Sequence, residues 1–130
     1  MKNPSNKFWN GKRVLITGHS GFKGGWLTIL LSKLKCAITG ISLPPENQIN
    51  LFDAAGISKL CESYFCEITD KKIMNIIQKA DPEIVFHLAA QPLVSKGYSH
   101  PLETMQTNII GTTNLLEVLR SSPSVKAIII

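Results

Sequence analysis

The sequence predicts an α/β domain with a doubly wound parallel sheet, on three observations. Short runs of apolar, often β-branched residues alternate with helical periodicities through all 130 residues. A glycine-rich turn joins the first such run to the first helix. The run Ile84-Val85-Phe86-His87-Leu88 is apolar enough to be covered on both faces, as strands of a parallel sheet are. Strand and helix in strict alternation is the pattern that right-handed crossovers require.

Arg13 to Thr17 reads as a buried first strand ending at Gly18. The turn Gly18 to Gly25 follows, and from Trp26 the residues Trp26, Leu27, Leu30, Leu31 and Leu34 recur at helical spacing. Ala37 to Ser42 is the second strand, closed by Pro44-Pro45. Asn50 to Gly56 looks like a short helical piece in a longer loop, and Tyr64 to Ile68 like a weak third strand. Lys71 to Lys79 is a short helix with Ile73, Ile76 and Ile77 inward, broken by Asp81-Pro82. After the fourth strand, Ile84 to Leu88, a long helix is predicted from Pro101, a favoured first position, to Arg120. Its buried stripe is expected to be Leu102, Met105, Ile109, Leu116 and Leu119, with Gly111 marking a close approach to a neighbour. Val125 to Ile130 starts a fifth strand, and the apolar sheet face there would have nothing after it as cover. The expectation is therefore a sheet truncated after the fifth strand, in an amino-terminal portion that aggregates or opens easily when alone.

Composition narrows the function classes. Hydrophobic residues make up 44% and charged residues 18%, which excludes intrinsic disorder. Nine Gly and seven Pro without a period exclude a collagen-like chain, and no apolar run approaches a membrane span. The start, MKNPSNKFWNGKR, has no apolar core of a secretory signal, so a cytoplasmic protein is expected. Cys36, Cys61 and Cys66 lack metal or disulfide spacing and are expected to be reduced, packed thiols. The net charge of +5 is scattered, from Lys2 through Lys12, Arg13 and Lys23 to Lys71 and Lys72. Without a basic stripe, nucleic acid is not an expected partner.

Gly18-x-x-Gly21-x-x-Gly24 between a strand and a helix is the context of a dinucleotide-binding loop. Helix-start N–H groups can face a pyrophosphate there, and missing Cβ atoms let it approach. A P-loop requires Gly-Lys-Ser/Thr, whereas Lys23 is followed by Gly24 and Gly25. Ser42 stands near the place of the usual ribose-binding acid, with no Arg or Lys suited to a 2′-phosphate, so NAD and NADP both remain open on these residues. Strand ends should line the cleft, which nominates Glu67, Ile68, Leu88, Ala89, Ala90 and Gln91. Glu67 reads either as an acceptor for the adenine amino group or as a solvated acid. His87, inside an apolar strand, is expected to be a hydrogen-bonded core histidine. His19 either touches the cofactor or faces water, Lys23 either lies near the phosphates or faces solvent, and His100 belongs to a helix cap. No metal cluster and no complete catalytic constellation is present.

Thr17 to Trp26 (TGHSGFKGGW), Ser42-Leu-Pro-Pro45, Leu51-Phe52, Ile84 to Val94 (IVFHLAAQPLV) and Thr107 to Thr112 (TNIIGT) resemble the extended short-chain dehydrogenase/reductases. Within that family they are most similar to the CDP-glucose 4,6-dehydratases. The resemblance runs from Phe8 to Ile130 and implies a Rossmann-like fold with tightly held NAD. It implies oxidation of nucleotide-bound glucose at C4, loss of water across C5 and C6, and hydride return to C6. Carried over by position, Gly18, Gly21, Phe22, Lys23 and Gly24 would border the pyrophosphate, Ser42 and Leu43 the adenosine ribose, and Glu67 and Ile68 the adenine. Leu88, Ala89, Ala90 and Thr107 would border the nicotinamide, with Gln91 at the entrance to the sugar pocket. The implied partners are CDP-glucose and a second copy of the full-length chain, with no membrane.

The family's Tyr-x-x-x-Lys pair, and its Thr or Ser with a neighbouring acid, do not occur in these residues, so turnover by residues 1–130 alone is not expected. Cys66-Glu67 stands where Gly-Asp is common, and Ser95-Lys96 where Arg and an apolar residue are expected. Alternatives are a different epimerase or dehydratase of the superfamily, a non-catalytic dinucleotide sensor, and a structural interaction domain. The last gives no reason for the glycine-rich turn.

Overall fold

The structure, a computed structural model, describes residues 6–130. Met1 to Ser5, with Lys2 of the scattered basic set and the start of the segment read as lacking a leader, lie outside the described residues. Five parallel strands form one sheet in the order β3-β2-β1-β4-β5. They are β1 (Arg13–Thr17), β2 (Ala37–Ser42), β3 (Glu62–Phe65), β4 (Ile84–His87) and β5 (Ala127–Ile129). The order reverses between β1 and β4, the topological switch point at which such sheets open a ligand crevice.

A short α1 (Asn6–Trp9) precedes β1. Helices α2 (Phe22–Lys33), α4 (Lys72–Ala80) and α7 (Thr112–Arg120) cover the sheet, and their cores follow from strand alternation. Val14 and Ile16 point to one face and pack with Leu31, Leu34, Ile38 and Ile84. Leu15 points to the other, with Ile41, Ile73, Ile77, Val85, Leu115 and Leu119. Each face is closed by its own helices, so β1 is buried on both sides, as the sequence predicts. At the amino-terminal edge, Glu83 accepts from Lys12 Nζ at 2.8 Å and from the Arg13 N–H at 3.3 Å. These contacts hold its carboxyl down to about 2. Cys36, Cys61 and Cys66 are free and half-buried, and burial pushes each thiol up. Among the described residues no helix is long and apolar enough to cross a membrane.

Three expectations are corrected, and one helix is added. The third strand is Glu62–Phe65, not Tyr64 to Ile68: its ladder starts at Thr39↔Glu62 and ends where the Cys66 N–H reaches the Ser42 carbonyl. As an edge strand it carries polar residues that an apolar count passes over, while Ile68 leaves the sheet and buries above it. The helix after the glycine turn starts at Phe22 and buries Gly24, Gly25, Thr28 and Leu31, leaving Trp26 and Leu30 exposed. A Cβ on Gly24 would strike the Gly18 carbonyl in the preceding turn, and one on Gly25 would press on the Leu51 side chain, so both positions must be small.

The predicted long helix is three pieces: α6 (Pro101–Met105), a π-helical turn over Gln106–Gly111, and α7. A π turn inserts one extra residue and rotates the following face by about 100°. One stripe therefore cannot run through, and Leu102, Met105, Ile109 and Leu116 are exposed while Gly111, Leu115 and Leu119 are buried. The Gly111 approach is real, since a Cβ there would overlap the Ile68 side chain. Finally, Val94–Ser99 is a helix, α5, that the sequence pattern does not signal. Asn50 caps a further short helix, α3 (Leu51–Ala54), by accepting from the Asp53 N–H at 2.8 Å.

Candidate functional site

A cavity of about 570 Å³ opens at the carboxyl ends of β1 to β4, within the range of small-molecule sites. Its floor is the β1–α2 turn, with Gly18, Gly21, Phe22, Lys23 and Gly24. Ser42 and Leu43 line it after β2, Glu67 and Ile68 after β3, and Leu88, Ala89 and Ala90 after β4. Thr107 enters from the π-helical turn. The structure thus brings together every residue that the sequence nominates for the cofactor. Lys23 and Glu67 are the charged side chains in this lining among the described residues.

Each glycine has a reason to be one. Gly18 has φ +79°, and a Cβ on it would lie 2.8 Å from the Ala89 nitrogen and the Leu88 carbonyl. A Cβ on Gly24 would strike the Gly18 carbonyl and lie 2.8 Å from His19 Cα, and one on Gly21 would lie 3.3 Å from the Gly18 oxygen. The Gly21 N–H donates to that same oxygen at 3.1 Å. The turn is wound so tightly that α2 begins at its wall, and Gly21 caps α2 without a side-chain hydrogen bond. The amides of the first turn are therefore available to an anion, and a side chain in the turn would fill the approach.

Ser42 supplies a second indication. Its Oγ is buried and has no hydrogen-bond partner among the described residues, yet the residue lines the cavity. A buried hydroxyl without a partner costs about 1–3 kcal/mol, and a ligand hydroxyl would relieve it. This fits a dinucleotide whose adenosine ribose lies beyond β2. Among the described residues the wall after β2 presents no Arg or Lys for a further phosphate.

Two histidines fall into place differently. His19 neither touches the cavity nor faces water: it is fully buried, with Nε2 3.0 Å from Ser63 Oγ. Its ring lies against Gly40, where a Cβ would be 2.7 Å from Nδ1, and packs with Phe52 and Phe65, which also touch each other. Desolvation lowers its pKa to about 4. His87 is the hydrogen-bonded core residue expected, 2.6 Å from Thr17 Oγ1 and 2.8 Å from Thr112 Oγ1, its pKa lowered by burial. His100 caps α6 through its backbone, its carbonyl accepting from the Thr104 N–H at 3.2 Å, while the imidazole makes no cap bond.

Gln91 is not part of the lining. Its side-chain amide donates to the Leu93 carbonyl and to Thr104 Oγ1 and accepts from the Leu93 N–H, which fixes the loop beside the cavity. Asn108 holds the Gln91 backbone from both sides, accepting its N–H at 2.8 Å and donating to its carbonyl at 3.1 Å. Sequence reasoning passes over Asn108, because a side chain that clasps backbone 17 positions away leaves no local pattern. Ser20, Ile41 and Pro92 also line the cavity without having been singled out, and so does Cys66, which stands where glycine is common in the family. Among the described residues no group of His, Cys, Asp or Glu could hold a metal ion.

Comparison with known proteins bears on the family and the fold. The GDP-mannose 4,6 dehydratase family profile matches residues 15–130. The CDP-glucose 4,6-dehydratase of Salmonella typhimurium is 43% identical over 123 residues, covering 94% of this chain and 34% of that protein. Among solved structures, the UDP-glucose 4-epimerase of Thermotoga maritima, determined with UDP-glucose, superposes with a TM-score of 0.78 at 28% identity. It is covered over 88% of this chain and 36% of its own. A UDP-glucose 4-epimerase from Stenotrophomonas maltophila with bound NAD gives 0.75 at 21% identity, over 88% of this chain and 35% of its own, a likeness of fold. The chain therefore spans about a third of the length of these relatives.

Proposed function

The chain belongs to the GDP-mannose 4,6 dehydratase family, and from that premise we propose that residues 1–130 are the NAD-binding part of a nucleotide-sugar 4,6-dehydratase acting on CDP-glucose. The observation that carries the reading is the cavity at the switch point, floored by Gly18, Gly21 and Gly24 and fed by the unpartnered Ser42 hydroxyl. The choice of CDP-glucose leans on the 43% identity to the Salmonella dehydratase of that name. The choice of NAD leans on the fold relative solved with it and on the absence of a basic side chain after β2 in the lining.

In such a reaction the sugar is oxidised at C4, loses water across C5 and C6 and is reduced at C6, giving CDP-4-dehydro-6-deoxyglucose. NAD, when bound, supplies the acceptance and return of hydride. The residues of this chain bind and orient. The α2 amides and Lys23 hold the pyrophosphate, Ser42 and Leu43 border the adenosine ribose, and Glu67 and Ile68 border the adenine. Leu88, Ala89, Ala90 and Thr107 form the wall for the nicotinamide and keep water from it. Gln91 shapes the loop toward the sugar. A Tyr-x-x-x-Lys pair is absent from residues 1–130, so these residues alone bind without turning over. The functional unit is a cytoplasmic homodimer of the full-length protein, with no membrane or nucleic-acid partner.

A second reading, an epimerase of the same superfamily, draws on the 28% identical Thermotoga enzyme. The deciding experiment incubates the natural full-length protein with NAD and, separately, CDP-, UDP-, GDP- and dTDP-glucose, following the 4-keto product and the C4 epimer. Keto-sugar formation from CDP-glucose at a kcat/KM well above the others is expected. Epimer formation, or preference for another nucleotide, overturns the proposal.

A further inference from the structure

The walls of the cavity on either side of β4 are joined beneath the surface by a single run of hydrogen bonds whose direction can be worked out. The Thr112 hydroxyl lies 2.7 Å from the Asn108 carbonyl, which can only accept, so Thr112 donates there. Its oxygen is then left to accept from His87 Nε2 at 2.8 Å. On the other side of the ring, Thr17 Oγ1 accepts the Ala89 N–H at 3.2 Å. Among the described residues the Thr17 hydroxyl has no other partner besides His87 Nδ1, 2.6 Å away, so its proton points to Nδ1. The run reads Ala89 N–H to Thr17, Thr17 O–H to Nδ1, Nε2–H to Thr112, Thr112 O–H to the Asn108 carbonyl. Each hydrogen bond of the run thus has one direction.

We propose that His87 is a positioning residue for the nicotinamide end of the cavity, fixed as the Nε2-protonated tautomer by this directed chain. At one end the chain holds the backbone of Ala89, a residue of the cavity lining, through its N–H. At the other it sets the π-helical turn at Asn108, next to the cavity residue Thr107 and holding the Gln91 backbone. The opposite tautomer leaves Nε2 and the Thr112 oxygen facing each other without a proton and turns the Thr17 hydroxyl away from its one acceptor. His87 thus makes the two walls a single rigid unit, although it is not among the lining residues.

This role rests on the dinucleotide reading of the cavity, but the tautomer does not, and the test separates them. In the natural full-length protein with ¹⁵N-labelled histidine, the His87 Nδ1 signal is expected in the unprotonated, pyridine-like range near neutral pH and Nε2 in the protonated range. A protonated Nδ1 overturns the chain whatever the cavity binds. In the same protein, Thr112→Val is expected to weaken NAD binding about three- to tenfold, the worth of one hydrogen bond, and to move the His87 signals, while Thr112→Ser restores both. Wild-type affinity in the Val variant overturns the positioning role. Wild-type protein that binds no NAD overturns the reading of the cavity itself, with the ¹⁵N result still deciding the chain.

Discussion

Gly18 and Ala89 meet backbone to backbone across the switch point: a Cβ on Gly18 would lie 2.8 Å from the Ala89 nitrogen. The carboxyl ends of β1 and β4 therefore leave no room for a side chain at Gly18, on the floor of the crevice above them. Gly18 also has φ +79°, so a side chain there is strained on two counts.

That relationship makes Gly18→Ala a severe change. The left-handed conformation alone costs about 1–2 kcal/mol, and the overlap with Leu88 and Ala89 adds to it by pushing β4 from β1. Gly11 is the control, since it has φ +75° with nothing within 4 Å of its Cβ position. Denaturant melts should show Gly11→Ala losing only the conformational share, and NAD titration should show its affinity intact. Gly18→Ala should lose more stability and most of its affinity. Equal melts for the two variants would show that the contact with Ala89 carries no energy.

Ser42 gives a prediction in which stability and binding move in opposite directions. Its buried Oγ has no partner among the described residues, so Ser42→Ala removes an unsatisfied group. Stability without cofactor should stay level or rise by up to about 1 kcal/mol, while NAD affinity falls by a few-fold. Thermal melts with and without NAD measure both. A variant that loses stability in the absence of NAD would mean that the hydroxyl already has a protein partner.

The strands of the central sheet and the glycine turn were legible because each carries its signal locally: β-branched runs for β1, β2 and β4, and a 3-residue glycine spacing between strand and helix. Glu67, Ile68, Leu88, Ala89 and Ala90 followed from topology, since strand ends at a switch point converge, whereas Phe22, Leu43 and Thr107 came only with the family resemblance, and Gln91, nominated with the strand ends, lies outside the lining. What could not be read depends on contacts between distant segments. The buried face of α7 depends on the π turn at Gln106–Gly111, which re-phases the helix after its apolar periodicity has been counted. The depth of His19 depends on Gly40 and Ser63, 21 and 44 positions on. The edge position of β3 hides its polar half, Glu62 and Ser63, from any apolar count.

Gly111 and Ile68 should be energetically coupled. A Cβ at position 111 would overlap Ile68 Cγ2, and α7 would have to lift from the loop after β3. Overpacking of this kind costs about 1–3 kcal/mol. Ile68→Leu lacks the γ2 methyl, so Gly111→Ala should be much milder in that background. A double-mutant cycle from urea melts should give a coupling of at least about 1 kcal/mol. Strict additivity would mean that the helix accommodates the methyl without touching Ile68.

The buried His19 sets a pH dependence whose sign is opposite to that of a salt-bridged histidine. In the folded chain its pKa is lowered by desolvation to about 4, against 6.5 when unfolded. Between those values the unfolded state binds a proton that the folded state does not, so folding stability is fully present above pH 6.5 and falls as the pH drops towards 4. The slope contributed is about 1.4 kcal/mol per pH unit. His87, also lowered by burial, acts in the same direction. Below about pH 4.5 the depressed Glu83 takes over, its stabilisation lost as the pH falls towards 2. Urea melts of the natural protein at pH 7, 6 and 5 should show the decline, and His19→Gln should flatten it while leaving the share due to His87. An unchanged slope in that variant would mean that the imidazole is protonated without leaving its site beneath Gly40, and the burial argument would fail.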